Sequence, residues 1–188
     1  MSIRLVIMGP PGVGKGTQAN ILKEQYNIPH LSTGQILREE IKNNSKIGEV
    51  AKNYINKGLL VPDKYLIEII KNHIIDPECN NGYILDGFPR TLIQADDFNQ
   101  LLKEINQRID LVISLTANED ELVSRLIKRS KDSKRSDDLA EIIIKRQKIY
   151  WKQTAPIIDY YKKLDLIKEI NGIGTISEIS ERIFTGIN

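Results

Sequence analysis

Apolar residues follow two rhythms along this chain. Apolar-rich runs at 3–8, 28–31, 83–85, 111–115 and 166–170 are short and lie next to Gly, Pro, Asn or charged residues, so each predicts a strand. Between them the apolar positions recur at helical spacing. That spacing predicts helices over about 13–26, 34–43, 46–57, 62–75 and 91–106, with Gly58 as a stop signal and Pro62-Asp63 as a start. Asn118 and Glu121 form a capping-box pattern for the next helix, and Thr175 with Glu178 repeats it before the last one. A long helical stretch over 137–163 is kinked or divided at Pro156, which has no N–H to donate.

Strand and helix therefore alternate from end to end. Such alternation predicts an α/β fold in three layers, with five parallel strands, right-handed crossovers and helices on both faces of the sheet. Ligands of such sheets lie at the carboxyl ends of the strands. The chain has no internal repeat and no low-complexity segment. Its one strongly polar patch is 128–138, "KRSKDSKRSDD".

Composition narrows the classes. The chain has 188 residues, 40% hydrophobic and 28% charged, enough for one soluble domain with its own core. A net charge of +2 gives no argument for nucleic acid or a membrane surface, so any electrostatic function must come from local clusters. Cys79 is the single cysteine; no internal disulfide and no cysteine metal site can form, which fits a reducing compartment. The apolar run before Gly9 is too short for a signal-peptide core, and no run approaches the ~20 residues of a membrane span. A cytoplasmic protein without nucleic-acid or membrane partners is expected.

The candidate chemistry starts at 9–18, "GPPGVGKGTQ", between a strand and a helix. Backbone N–H groups of Gly12, Val13, Gly14, Lys15, Gly16 and Thr17 can converge there on phosphate oxygens. The helix N-terminus adds partial positive charge, and the Lys15 ammonium adds a full one for the outer phosphates. The usual phosphate loop has Ser or Thr directly after the Lys; here Gly16 stands there and Thr17 follows.

With Gly-Lys-Gly-Thr in that loop, the chain resembles the nucleoside monophosphate kinase family, its adenylate kinases in particular. Further stretches carry the resemblance, in the same order along essentially the whole chain. Leu31-Ser32-Thr33-Gly34 with Arg38 looks like the monophosphate-site motif. Asp86-Gly87-Phe88-Pro89-Arg90-Thr91 with Gln94 is similar to the second signature. Arg125, Arg129, Arg135 and Arg146 fall at the spacing of the lid and catalytic arginines, and 170–174, "INGIG", looks like the segment that touches the adenine of ATP, with Gly174 at the donor site.

The resemblance implies a P-loop kinase fold with a core of 1–31, 62–128 and 137–188, an NMP-binding segment at 32–61 and a short lid at 129–136. It implies reversible, Mg2+-dependent phosphoryl transfer from ATP to AMP giving two ADP, hence adenine nucleotide homeostasis, by a monomer whose partners are ATP, AMP and ADP. Such a reaction joins two polyanions, so it calls for cations and N–H donors rather than a general base. Arg grips phosphate through two donors where Lys is a point charge. By resemblance Arg38 and Arg90 hold the AMP phosphate, Arg129 reaches the ATP phosphates, Arg125 lies near the ATP adenine, and Arg135 and Arg146 close over the transferring group. Asp86, at the end of an apolar strand, is poised to hold the water shell of Mg2+. Thr33 and Gln94 would read the AMP base, with the backbone of Leu59, Leu60 and Val61 alongside and Gly87, Phe88 and Pro89 near Arg90.

Blander readings stay open for each residue alone: a solvated helix face for an arginine, a cap for Asp86, a surface contact for Thr33 or Gln94. Asp137 and Asp138 suit helix capping and lid closure equally. UMP/CMP kinases differ at positions 33 and 94, and a UMP/CMP kinase is the nearest alternative; a P-loop nucleotide-binding protein without kinase activity is the other. Two departures from the family stand out. Gln35 replaces the Asp that usually follows Ser-Thr-Gly, which implies a looser shell around Mg2+. Only 130–134 separate Arg129 from Arg135, and one cysteine cannot build the four-cysteine zinc site of some longer lids, so no zinc is expected. His30 and His73 lack ligand spacing and read as surface or packing residues. Gly58 and the ends of 130–136 are candidate hinges for closure over the nucleotides.

Overall fold

The computed structural model describes residues 2–132, 137 and 139–187. At its centre is β1 (Ile3–Met8), flanked by β3 (Gly82–Asp86) and β4 (Leu111–Thr116), with β2 (His30–Ser32) and β5 (Ile167–Asn171) at the edges. All neighbours pair in parallel, in the order β2-β3-β1-β4-β5. Side chains of β1 alternate between two layers. Leu5 and Ile7 meet Ala19 and Leu22 of α1 (Lys15–Tyr26) and Ile179 and Ile183 of α9 (Ile176–Ile187). Val6 and Met8 share a core with Ile70 of α4 (Asp63–Ile74), Phe98 of α5 (Leu92–Glu104) and Ile157 of α8 (Ile157–Lys163). Burial on both faces is why β1 reads as a nearly unbroken apolar run rather than an alternating one. The Phe88 ring meets Phe98 edge-on at 5.3 Å and so pins the loop after β3 to that core.

Between β2 and β3 the chain makes two further helices, α2 (Thr33–Lys42) and α3 (Lys46–Ile55). Ser45 caps α3 by accepting from the Gly48 N–H at 2.9 Å. Gly48 lies against the α2 backbone at Glu40, where a Cβ has no room. After β4 come α6 (Glu119–Asp132) and α7 (Ala140–Ile149). Among the described residues no helix is long and apolar enough to cross a membrane.

Three elements differ from their sequence expectations, each for a local reason. The first helix starts at Lys15 rather than 13, because Gly12 and Gly14 hold positive φ (91° and 101°) and keep the loop open. The second strand is His30–Ser32 rather than 28–31: Asn27 turns the chain in the left-handed region, and Pro29 has no N–H for the ladder. The helical stretch over 137–163 is α7, one wide turn at Tyr150–Thr154, and α8. In that turn Ala155 N–H reaches back five residues to the Tyr150 carbonyl at 2.9 Å, which makes room for the Pro156 ring. The two capping boxes also part company. Thr175 and Glu178 exchange both bonds, whereas Asn118 accepts from Glu121 N–H but the Glu121 carboxylate turns to Arg125.

Candidate active site

The carboxyl ends of β1 and β3 open into one cavity of about 1270 Å³. Its floor is the 9–17 loop. Two glycines there answer different needs. A Cβ on Gly12 would stand 2.8 Å from the Leu122 carbonyl and 2.9 Å from Leu126 Cγ, so Gly12 lets the loop lie against α6. A Cβ on Gly14 would meet nothing within 4 Å; that glycine faces the open cavity. From α7, Gln147 donates to the Pro11 carbonyl at 2.8 Å and braces the loop from the other side.

Lys15 Nζ donates to the Gly9 and Pro10 carbonyls at 2.8 and 3.1 Å, which leaves the third donor of its ammonium for a ligand. Dehydration lowers its pKa to about 8; Asp86 opposes the shift, while Arg90, Arg146 and Arg129 add to it. Burial alone would raise the Asp86 pKa, but His30, Lys15 and Arg90 together hold it below the ordinary value. Gly16 lies beside this carboxylate: a Cβ there would be in ordinary contact, 3.7 Å from Asp86 Oδ2.

The cations come from four separate elements. Arg90 follows β3, donates from Nε to the Gly87 carbonyl at 2.6 Å, and has its pKa lowered to about 10 by dehydration first and then by Arg146, with Arg38 adding to it. Arg146 on α7 pairs with Asp137 Oδ2 at 2.7 Å. Arg125 bonds Glu121 at 2.6 Å, the Val13 carbonyl at 3.3 Å and the Gly172 carbonyl at 3.0 Å, and so ties the phosphate loop to the end of β5. Arg38 and Arg129 line the same cavity.

On the other side of the cavity stand Leu59, Leu60 and Val61, with Thr33, Gly87, Phe88 and Pro89. Thr33 is buried, and its hydroxyl lies 2.9 Å from the Gly87 carbonyl and 3.2 Å from that of Asp86. Gly58 is a point of close approach, since a Cβ would meet Ile142 of α7 at 2.9 Å. Gln35 lines the wall but donates to Glu39 at 3.0 Å. Gln94 does not line the cavity: it is fully buried, accepts from Arg90 N–H at 2.7 Å and donates to Asp63 at 2.6 Å.

The cavity thus brings together every sequence-expected site residue except Gln94 and Arg135, and Arg135, like Asp138, lies outside the described residues. Sequence reasoning missed three supports. His30 lines the cavity, with Nδ1 paired to Asn20 Oδ1 at 2.9 Å and Nε2 3.5 Å from Asp86 Oδ2. Thr154 holds the Arg90 carbonyl at 2.9 Å, and Gln147 holds the loop. The position of His30, two residues before the Ser32-Thr33 motif, was the only signal for any of them.

Lys15 carries a pH prediction. With a pKa of about 8 it is roughly half charged at pH 8 in the empty site, and the phosphates of a bound nucleoside triphosphate raise that pKa again. Binding of Mg-ATP, whose phosphates are already ionised, therefore makes Lys15 take up a large fraction of a proton at pH 8 and almost none at pH 6.5. Calorimetric titration in two buffers of different ionisation enthalpy reads this directly. Equal heats in both buffers at pH 8 would contradict it.

A family model described as adenylate kinase matches residues 7–166. An adenylate kinase of Leptospira biflexa (strain Patoc 1 / Ames) is 47% identical over 184 residues, covering 98% of this chain and 99% of the relative. One from Bifidobacterium longum (strain NCC 2705) is 45% identical over 97% of this chain and 98% of its own. One from a Nocardioides species (strain JS614) is 41% identical over 99% and 97%.

Proposed function

The chain belongs to the adenylate kinase family, and we propose that it transfers a phosphoryl group reversibly from ATP to AMP, giving two ADP, with the cavity residues in the roles that follow. One observation carries this reading. Arg38 on α2 and Arg90 after β3 line the same cavity as Lys15 of the phosphate loop, so the cavity holds a second group of cations apart from the loop's own. A protein that only binds or hydrolyses a nucleotide needs one phosphate site. Cations on both sides suit two phosphate chains meeting end to end.

The donor's phosphates lie over the 9–17 loop. Lys15 and Arg129 hold the outer ones, and Arg125 fixes the loop beside the donor base near Gly174. Arg38 and Arg90 hold the AMP phosphate and aim one of its oxygens at the γ-phosphorus. As that P–O bond forms, the bond to the β-bridging oxygen breaks. No side chain removes a proton, because the attacking oxygen is already ionised. Arg146, with Arg135, bears on the oxygens where charge spreads in the transition state. The segments 32–61 and 129–136 close over the pair to exclude water.

Asp86 brings Mg2+ into the reading. The Asp86 carboxylate lines the cavity beside the phosphate loop and stays ionised there, so it would hold Mg2+ through the ion's water shell. When bound, Mg2+ aligns the donor phosphates and neutralises part of their charge. A monomeric enzyme with ATP, AMP and ADP as its partners follows from the family, and the lone cysteine suits a reducing cytoplasm.

The test is ADP formation from Mg-ATP with AMP, CMP, UMP and GMP in turn, beside a control without acceptor. Strong preference for AMP with little hydrolysis in the control is expected. Preference for CMP or UMP would keep the phosphate residues and overturn the base-reading roles of Thr33 and Gln94. ATP loss that ignores the acceptor would overturn the second phosphate site.

A further inference from the structure

The amide of Gln94 is held between two groups that leave it a single orientation. Its Oε1 accepts from the Arg90 backbone N–H at 2.7 Å, and a backbone N–H can only donate. Its Nε2 donates to Asp63 Oδ1 at 2.6 Å, and an ionised carboxylate can only accept. A flipped amide would set oxygen against oxygen and N–H against N–H. The other carboxylate oxygen, Asp63 Oδ2, lies 3.4 Å from Thr91 Oγ1, and that hydroxyl accepts from the Gln94 backbone N–H at 3.1 Å to cap α5. Asp63 therefore engages both the cap and the amide of α5 from the first turn of α4, two residues after Val61.

We propose that Asp63 is a positioning residue for base selection, which together with the Arg90 backbone N–H fixes the polarity of the Gln94 amide and with it the acceptor base the enzyme takes. The proposal rests on the reading of Gln94 as the residue that meets the AMP base. The amide keeps one N–H and one oxygen lone pair beyond the bonds above. An adenine edge offers an acceptor at N1 and a donor at the 6-amino group. A hypoxanthine edge offers the reverse, a donor at N1 and an acceptor at the 6-oxo group. A fixed amide matches one order of donor and acceptor, whereas an amide free to turn tolerates both. Gln94 is fully buried and does not line the cavity, so a base meets it only once the residues covering it move, and Asp63 keeps the amide oriented while they do.

AMP and IMP differ only at this edge, so they are the probes. The expected result for Asp63→Ala is about a tenfold rise in KM for AMP and about a tenfold fall in the AMP-over-IMP ratio of kcat/KM. The kcat at saturating AMP and the KM for ATP should stay within about threefold of the parent, as suits a lost binding contact rather than lost chemistry. Asp63→Asn keeps an acceptor oxygen and should retain most of the discrimination. Three results would overturn the proposal. If Asp63→Ala keeps the AMP-over-IMP ratio while Gln94→Leu collapses it, Gln94 reads the base without help from Asp63. If Gln94→Leu also leaves the ratio unchanged, the base-reading role of Gln94 fails and takes the proposal with it. If Asp63→Ala weakens AMP and ATP alike and lowers Tm, the contact is only structural.

Discussion

Lys15→Met lowers kcat by about 10³ while the protein stays folded. Two of the three ammonium donors are already spent on the Gly9 and Pro10 carbonyls, so the third is aimed before any ligand arrives. Aimed donors in a dehydrated site each contribute roughly 10²–10³ to rate, because they stabilise developing charge without reorganising. The pKa near 8 sets the rest of the argument: the empty site disfavours this charge, and a polyanion relieves it. Lys15→Arg should not rescue the rate, because a planar fork cannot bond both carbonyls and still offer a point charge at the same place. Steady-state rates with saturating Mg-ATP and AMP check the prediction. A kcat for Lys15→Met within tenfold of the parent would sink it.

Much of the fold could be read from the chain because its signals are local. The apolar run of β1, the open glycines after it and the Thr175–Glu178 box each specify their structure within a few residues. The misreadings arose where a distant or subtle constraint overrode a local one. Pro29 and Asn27 delay β2 until it can pair with β3 at Ile84, Leu85 and Asp86. Pro156 announces a break, but nothing in the sequence says that a wide turn, rather than a gap, absorbs it. Glu121 has the spacing of a capping residue and prefers Arg125.

The site divides in the same way. The loop, Asp86, Arg90 and the arginines of α6 and α7 line one cavity, as their motifs imply. What stayed hidden was who holds whom. Gln147 lies 136 residues from Pro11, Gln94 is 31 from Asp63, and Thr154 is 64 from Arg90. Each of these is a polar side chain on a helix or turn that could as well have faced water. Only the packing of α7, α4 and the Tyr150–Thr154 turn against the loops gives them partners.

Arg90→Lys lowers kcat by about 10²–10³ although the charge is kept. Arg90 Nε is spent on the Gly87 carbonyl at 2.6 Å, which leaves the two Nη groups of the fork for phosphate oxygens. A lysine can bond that carbonyl or reach the phosphate, not both in the same geometry. The loss should fall on kcat more than on the KM for ATP, because Arg90 belongs to the acceptor side. Stability should move the other way in Arg90→Met. The folded pKa of Arg90 lies below its ordinary value, so at neutral pH its charge is carried against dehydration and the repulsion of Arg146 and Arg38. Removing that charge relieves the dehydration and the repulsion, which together outweigh the lost attraction to Asp86 and Asp137, and the Gly87 carbonyl keeps a partner in the Thr33 hydroxyl. The expected variant is therefore almost inactive, with a Tm equal to or above the parent's. An active Arg90→Lys, or a Tm for Arg90→Met several degrees below the parent, would show that Arg90 holds the loop together rather than the phosphate.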